Sequence, residues 1–265
     1  MIDLIPVCEQ VKLLVLEVGE FIRKEALKFD ASKIEIKGLN DLVSFVDKEA
    51  EKKLVLGLKA IISKAGFITE EGTADKAREK YIWIVDPLDG TTNFIHGLPV
   101  YSISIALMYQ NTLELGVVYE INRDELFYAY KGGGAWLNDN QISVSPISSL
   151  SNSLLATGFP YHNFDQLESY SQMLTYFMKH MHGLRRMGSA AVDLAYVACG
   201  RFEGFFEYNL NAWDVAGGAF IVQEAGGTVT EFNGGSNVLF GRSIVAAGGV
   251  GKELFNAIDT IWNKR

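Results

Sequence analysis

The chain of 265 residues is poor in cysteine and histidine, and these shortages exclude several kinds of site. Its two cysteines, Cys8 and Cys199, lie in apolar stretches without Cys-x-x-Cys or Cys/His spacing, and both are expected to be buried thiols. The four histidines show no metal-ligand spacing either and are expected to be structural or surface residues. Neither a zinc site nor a disulfide framework is therefore indicated.

Long apolar runs and positive charge are also lacking. No stretch approaches the ~18 uncharged apolar residues that a membrane span requires. The N-terminal segment is amphipathic and shows no basic leader or cleavage site. Both observations favour a cytoplasmic protein. The 24 Lys and Arg residues against 32 Asp and Glu residues give a net charge of −8. This balance disfavours a broad electrostatic grip on nucleic acid or anionic lipid, so neither partner is expected.

Proline is scarce as well, and there is no internal repeat or long Gly/Ser-rich run. The chain is therefore expected to form a single unit over residues 1–265, with an N-terminal α+β half at about 1–145 and a C-terminal α/β half at about 146–265. Helices are predicted at about 3–28, 41–64, 189–199, 214–225 and 252–262. Strands are predicted at about 81–85, 103–109, 115–121, 126–130, 154–157, 202–208, 227–232 and 243–247. This alternation is typical of layered α/β proteins.

The most informative segment is Tyr81–Phe94, where an apolar strand runs into two aspartates. Pro87 and Gly90 favour a sharp turn that aims Asp86 and Asp89 into one space, although an ordinary turn explains the same residues. A helix beginning after Gly90 would offer free N–H groups for a phosphate. Carboxylates beside a phosphate would repel it unless a divalent cation lies between them, and ligands that are all oxygen indicate Mg²⁺.

Three further acidic residues are candidates for the same site, each with an ordinary structural alternative. Glu70 follows the apolar residues 66–68, and a solvated acidic turn is its alternative. Asp214 stands where a helix should start, where it could cap the helix, bind a metal or do both. Asp47 lies within the second predicted helix, where an exposed helix face is the alternative. The residues alone leave these alternatives open.

Five motifs in one order identify a family resemblance over nearly the whole chain. They are Asp41–Asp47, Glu70–Glu71, Asp86–Phe94, Gly188–Ala191 and Trp213–Gly217. With them the chain resembles the inositol monophosphatase family, part of the lithium-sensitive, magnesium-dependent phosphatase superfamily. The resemblance implies an α/β fold, namely an alternating αβαβα sandwich of the inositol monophosphatase and fructose-1,6-bisphosphatase type. Thr69 and Gly72 depart from the family pattern but supply no ligand side chain.

The resemblance also implies roles for individual residues. Two or three Mg²⁺ ions would be held by Glu70, Asp86, Asp89, Asp214 and the main-chain carbonyl of Leu88. The catalytic residues would be Asp47 and Thr91, which orient and activate the attacking water, together with Glu70. The substrate would be contacted by Lys37 of a mobile loop, by the N–H groups of Gly90 and Thr91 at the phosphate, and by Asp89, Gly188, Ser189, Ala190, Glu207 and Asp214.

The implied activity is Mg²⁺-dependent hydrolysis of a small polyol phosphate monoester, above all myo-inositol 1-phosphate. Fructose 1,6-bisphosphate, NADP, histidinol phosphate and 3′-phosphoadenosine 5′-phosphate remain alternative substrates. A regulatory binding protein that acts with the transcription machinery is the alternative from another functional class. The family resemblance further implies a homodimer.

Overall fold

The structure is a computed structural model that describes residues 2–28, 34–38, 41–73, 79–160 and 164–263, with the backbone alone described at 34–38 and 41–44. The helices of these residues are α1 (Leu4–Ala26), α2 (Phe45–Ile61), α3 (Thr91–Ile95), α4 (Leu167–His180), α5 (Ala190–Ala198), α6 (Ala212–Glu224) and α7 (Gly251–Trp262). The strands are β1 (Ile34–Gly38), β2 (Asp41–Ser44), β3 (Gly66–Thr69), β4 (Tyr81–Asp89), β5 (Ser102–Tyr109), β6 (Thr112–Glu120), β7 (Glu125–Tyr130), β8 (Ala135–Leu137), β9 (Asn140–Ile142), β10 (Leu154–Thr157), β11 (Gly183–Arg185), β12 (Gly204–Tyr208), β13 (Thr228–Thr230) and β14 (Ser243–Ala247).

Two large sheets organise the chain. The first has seven strands in the order β3-β4-β5-β6-β7-β8-β9, and every pair is antiparallel except β3 with β4. The second has five strands in the order β11-β10-β12-β14-β13, with β10 parallel to both of its neighbours. The small antiparallel pair β1-β2 completes the described strands. The first sheet ends at Ile142 and the second begins at Leu154, while the division into two halves near residue 145 stays a prediction.

The helices form three layers around these sheets. Helices α1 and α2 pack on one face of the seven-stranded sheet, and α5 and α6 fill the space between the two sheets. Helices α4 and α7 cover the outer face of the five-stranded sheet. The expected αβαβα sandwich is thereby confirmed.

Apolar periodicity explains the outer helices. In α1 the buried residues Val7, Val11, Val15, Val18 and Ile22 recur every three or four positions, so that one face of the helix packs on the sheet. No helix of the described residues is both long and apolar enough to cross a bilayer. Helices α5 and α6 are buried on nearly all sides because they lie between two sheets.

Several local predictions are corrected by the structure. The predicted helix at 41–64 is α2 alone, because residues 41–44 pair with β1 as a strand and the helix ends at Ile61. The strand predicted at 227–232 is limited to β13, and α4 and β11 were not predicted at all. Cys8 is buried as expected, but Cys199 at the end of α5 is half-buried.

Two glycines bring α6 directly against the seven-stranded sheet. A Cβ atom on Gly116 of β6 would lie 2.5 Å from the carbonyl oxygen of Gly217 in α6. A Cβ atom on Gly217 would in turn lie 3.0 Å from the Ile105 oxygen and 3.2 Å from the Val117 oxygen. Only residues without a side chain allow this approach of helix and sheet backbones.

The Gly116→Ala variant should test this contact. Its methyl group meets backbone atoms that cannot rotate away, so we expect a loss of roughly 1–3 kcal/mol in the free energy of unfolding. Denaturant unfolding followed by circular dichroism measures it. The matched control is Gly183→Ala, where the nearest atoms are the ends of the Leu154 and Arg185 side chains. Equal stability of the two variants would contradict the proposed close packing.

Candidate active site

The centre of the site is the junction between β4 and α3. The register of β4 with β5 shifts between Asp86, which pairs with Ser104, and Asp89, which pairs with Ser102. This one-residue bulge bends the strand end and places both aspartates beside one cavity. Gly90 follows with φ of 96°, a left-handed conformation that favours glycine, and α3 begins at the next residue.

Asp86 and Asp89 are held by neutral donors. One oxygen of Asp86, which is 2% exposed, accepts the N–H of Leu88 at 3.0 Å. Oδ2 of Asp89 accepts the hydroxyl of Ser189 at 2.6 Å and the N–H of Ala191 at 2.7 Å. Because Ser189 is also the N-cap of α5, the start of that helix fixes the Asp89 carboxylate.

Asp214 occupies the first turn of α6. Its Oδ2 accepts the N–H of Asn211 at 2.7 Å, as part of a capping box in which the Asn211 side chain also takes part. The guanidinium of Arg242 donates at 2.6 Å to the side-chain oxygens of both Asn211 and Asn209. Asp214 therefore takes part in capping its helix, although Asn211 is the N-cap, and it also borders the cavity, while its role as a metal ligand stays a prediction.

Asp47 reaches the site through Thr91. The Thr91 hydroxyl lies 2.9 Å from Oδ1 of Asp47 and 3.0 Å from the carbonyl oxygen of Leu88. Asp47 is fully buried, which rules out the exposed helix face considered for it. The hydrogen bond joins α2 to the start of α3 across 44 residues of sequence.

Glu70 lies in the loop after β3, and a second glutamate from α2 holds that loop. Both carboxylate oxygens of the buried Glu51 accept backbone N–H groups, from Glu71 at 2.7 Å and from Thr73 at 2.8 Å. The loop is therefore anchored, so Glu70 does not belong to a freely solvated acidic turn. Sequence reasoning missed Glu51, although its position four residues after Asp47 places both on one helix face.

A cavity of about 370 Å³ collects most of the expected site residues. Those that line it are Glu70, Asp86, Leu88, Asp89, Gly90, Thr91, Gly188, Ser189, Ala190, Glu207 and Asp214. Asp47 lies behind Thr91, and the side chain of Lys37 in β1 is outside the described side chains. The structure thus brings together residues from five separate segments of sequence.

Burial and mutual repulsion dominate the electrostatics. Burial, followed by the charges of Glu70, Asp89 and Asp214, raises the pKa of Asp86 well above its usual range. Burial raises the pKa of Asp89 to about 6 despite the opposing bonds from Ser189 and Ala191. Burial and the neighbouring Asp89 raise the pKa of Asp214 to about 7. These carboxylates hold more negative charge than the cavity can stabilise by itself.

The donor chemistry fits a divalent cation. The carboxylates and the carbonyl of Leu88 are all oxygen donors, which Mg²⁺ prefers, and a cation would relieve the repulsion among the acids. Within the described residues, however, no three Asp, Glu, His or Cys side chains already form a metal-binding group. The structure therefore shows the chemistry for a cation and no finished coordination geometry.

The far wall of the cavity contains Glu207, which was expected to contact the substrate, and two polar residues that were not among the expected site residues, Asp193 and Arg186. Burial raises the pKa of Asp193 well above its usual range, and one oxygen of this residue has no hydrogen-bond partner in the described chain. Burial likewise raises the pKa of Glu207, which the charge of Arg186 opposes. Arg186 also lies 5.7 Å from the ring centre of Phe159, another lining residue. Asp193 could have been suspected as the one acid within the apolar sequence of α5.

Neutralising Asp214 should stabilise the metal-free protein at alkaline pH. The folded state raises its pKa, so the stability it contributes below its ordinary pKa is lost as the pH rises through about 7. The variant Asp214→Asn removes this charge and can still accept the Asn211 N–H. We expect its free energy of unfolding to exceed that of the wild type by about 1–2 kcal/mol near pH 8.5, and the gain to shrink as the pH is lowered.

Denaturant unfolding in the presence of a chelator, repeated at several pH values, measures this gain. The control is Asp139→Asn, which removes a charge from an exposed turn and should change little. A gain that is independent of pH, or equal in both variants, would show that repulsion in the cavity is not its cause.

Comparison with known proteins agrees with this geometry. The sequence model of the inositol monophosphatase family matches residues 3–263. The putative Nus factor SuhB of Neisseria meningitidis serogroup B is 45% identical over 230 residues, which cover 86% of this chain and 88% of that protein. The inositol-1-monophosphatase of Rhizobium meliloti is 41% identical over 232 residues, which cover 87% of each protein.

Solved structures of similar proteins indicate the same family. The extragenic suppressor protein SuhB of Bartonella henselae superposes with a TM-score of 0.90 at 37% identity, over 96% of this chain and 98% of that one. The IMPase of Thermotoga maritima superposes with a TM-score of 0.85 at 32% identity, over 94% of this chain and 95% of that one. The chain therefore belongs to the inositol monophosphatase family.

Proposed function

We propose that the protein is a Mg²⁺-dependent phosphatase that hydrolyses small polyol phosphate monoesters, with myo-inositol 1-phosphate as its main substrate. The observation that carries the proposal is the cluster of buried, mutually repelling carboxylates beside the Asp47–Thr91 hydrogen bond. Such a cluster has a clear chemical use when it holds a cation that binds phosphate. The 41% identity to the inositol-1-monophosphatase of Rhizobium meliloti supports the substrate class.

Five groups would hold the metal: Glu70, Asp86, Asp89, Asp214 and the carbonyl of Leu88. When bound, two or three Mg²⁺ ions supply acidification of the attacking water, neutralisation of the phosphate oxygens and stabilisation of the departing alkoxide. The protein's contribution is to keep the ligands apart and ionised, by bonds from neutral donors such as Ser189.

Asp47 and Thr91 would direct the attacking water. The Thr91 hydroxyl donates its hydrogen toward Asp47 or the Leu88 carbonyl, which leaves an oxygen lone pair to accept a hydrogen bond from water. As the water attacks phosphorus, its proton would pass to the Thr91 oxygen while the Thr91 proton moves to Asp47. Glu70, whose loop adjoins α2, would hold the same water from the other side.

The substrate would lie between the start of α3 and the far wall of the cavity. The N–H groups of Gly90 and Thr91 would hold the phosphate, as helix-terminal N–H groups do in many proteins. The sugar hydroxyls would contact Glu207 and the turn Gly188–Ala190, which all line the cavity. Lys37, which lies in strand β1 and not in the expected loop, would approach the phosphate.

Removing either member of the Asp47–Thr91 pair should lower kcat. We expect Asp47→Asn and Thr91→Ala to reduce kcat for myo-inositol 1-phosphate by about 10²–10³, with little change in KM, because the pair acts on the water and not on the bound ester. Phosphate release at saturating Mg²⁺ measures both constants. The control Glu49→Gln alters a side chain of the same helix that is 44% exposed, and it should retain wild-type rates. A kcat near the wild-type value in either variant would refute the assigned roles.

Loss of one metal carboxylate should abolish the activity without unfolding the protein. Asp89→Asn keeps an oxygen for the Ser189 hydroxyl but removes one charge from the cavity, so we expect it to fold and to lose nearly all Mg²⁺-dependent hydrolysis. The same loss is expected when a chelator is added to the wild type, with recovery on adding Mg²⁺. Hydrolysis that survives both treatments would contradict the proposed metal site.

The choice of substrate is tested by a panel. Values of kcat/KM for myo-inositol 1-phosphate, fructose 1,6-bisphosphate, NADP, histidinol phosphate and 3′-phosphoadenosine 5′-phosphate should rank the inositol ester first. A preference of about tenfold or more, or 1.4 kcal/mol, for a nucleotide would replace the polyol assignment with a nucleotide phosphatase.

A regulatory role is the second candidate, favoured by the 45% identity to the putative Nus factor SuhB of Neisseria meningitidis. In this role the protein would bind components of the transcription machinery. Its net charge of −8 disfavours direct binding to RNA and therefore favours a protein partner. Capture of the same transcription proteins by wild type and by Asp89→Asn would separate this role from hydrolysis, and capture of none would exclude it.

A further inference from the structure

The strongest feature outside the expected catalytic and metal residues is Glu51. It lies in α2, one helical turn after Asp47, and is fully buried. Its Oε2 accepts the N–H of Glu71 at 2.7 Å, and its Oε1 accepts the N–H of Thr73 at 2.8 Å. Both oxygens of this carboxylate are therefore committed to one loop.

That loop begins at the edge of a sheet. It follows β3, an edge strand of the seven-stranded sheet that pairs only with β4 among the described strands. Gly72 within it has φ of 68°, and a Cβ atom added there would contact nothing within 4 Å. The Glu71 N–H belongs to the peptide group that begins at the carbonyl of Glu70, so the first bond to Glu51 sets the backbone plane next to Glu70.

A buried carboxylate is a costly way to fix a loop. Glu51 forms no ion pair with the described residues, so backbone N–H groups alone compensate its charge there. Hydrogen bonds to an ionised group are stronger and more directional than neutral ones, which suits the task of holding one backbone position.

One face of α2 thereby serves two parts of the site. Residues four apart lie on the same side of a helix, so Asp47 and Glu51 project together. Asp47 accepts from Thr91 at the start of α3, while Glu51 holds the loop that carries Glu70. Any movement of α2 would therefore shift the Asp47 carboxylate and the loop that carries Glu70 together.

We propose that Glu51 is a positioning residue that holds Glu70 in the place where it binds the metal. The inference rests on the proposed function, because it takes Glu70 as a metal ligand. Glu51 itself contacts neither metal nor substrate. It acts through the backbone between Glu70 and Thr73.

Glu51→Gln tests the inference. The amide offers one acceptor where the loop presents two donors, so one N–H group loses its partner. We expect the Mg²⁺ dissociation constant, measured by calorimetry with the metal alone, to rise by about tenfold or more, as is usual when the support of a ligand is lost. At saturating Mg²⁺ we expect kcat to recover to within about threefold of the wild type, because Glu70 itself is retained and the bound metal would restore its position. Faster amide exchange at Glu71 and Thr73, followed by NMR, should accompany the weaker binding.

The matched control is Glu49→Gln on the same helix, where the exposed Glu49 pairs with Lys52 at 2.6 Å. It removes the same charge and should leave Mg²⁺ affinity unchanged. A wild-type Mg²⁺ affinity in folded Glu51→Gln would overturn the inference, and so would a tenfold weakening in the control as well.

A measurement on the wild type covers the case in which Glu51→Gln does not fold. In the metal-free wild type the amides of Glu71 and Thr73 should already be protected from exchange, and their free exchange would overturn the inference.

The phosphatase proposal and the proposed role of Glu51 can fail separately. Weaker Mg²⁺ binding in Glu51→Gln with no hydrolysis of any monoester by the wild type would refute the phosphatase but support the role of Glu51. Hydrolysis of the monoester by the wild type together with wild-type Mg²⁺ affinity in Glu51→Gln would support the phosphatase and refute the role of Glu51.

Discussion

Repulsion among buried carboxylates is the constraint on which the rest of the site depends. Asp86, Asp89 and Asp214 come from two distant segments, yet each lies beside the same cavity. The donors that hold them are peptide N–H groups and a serine hydroxyl, which stabilise a carboxylate without cancelling its charge. A lysine at any of these donor positions would have relieved the repulsion and reduced the attraction for a cation. Because their hydrogen-bond donors are neutral, the acids are held in place and their negative charge remains available to bind a cation.

The middle layer of helices in the sandwich also helps to hold these buried carboxylates. Helices α5 and α6 lie between the two sheets, and both begin at the cavity: Ser189 caps one and Asp214 lies in the first turn of the other. The positive end of a helix dipole favours a nearby carboxylate, so each helix start lowers the cost of the acid beside it. The layer that fills the core thus also stabilises the charges of the site.

Part of this arrangement could be predicted from the sequence, because the residues place acids near the ends of strands and helices and the family resemblance implies that these acids share one site. Pro87 and Gly90 predict a sharp turn after residue 85, whereas β4 continues to Asp89 with a one-residue bulge. Helix α6 begins at Ala212, two residues before the start predicted at Asp214. Helix α4 was missed although Tyr170, Met173 and Phe177 recur at helical spacing. Residues 41–44 form a strand because pairing with β1 overrides their helical pattern. The contacts of Glu51 and Arg186 join segments that are distant in sequence, and no local pattern contains them.

The contact between Gly116 and Gly217 has a consequence for how the family can change. It joins the helix that carries Asp214 to the sheet that carries Asp86 and Asp89, where a Cβ atom on Gly217 would meet the main-chain oxygens of Ile105 and Val117 and the Ser104 hydroxyl. The separation of these two groups of acids therefore depends in part on a contact between backbones, which the sizes of the surrounding apolar side chains do not set. Exchange of those side chains over evolutionary time leaves this contact in place, provided that both positions remain glycine.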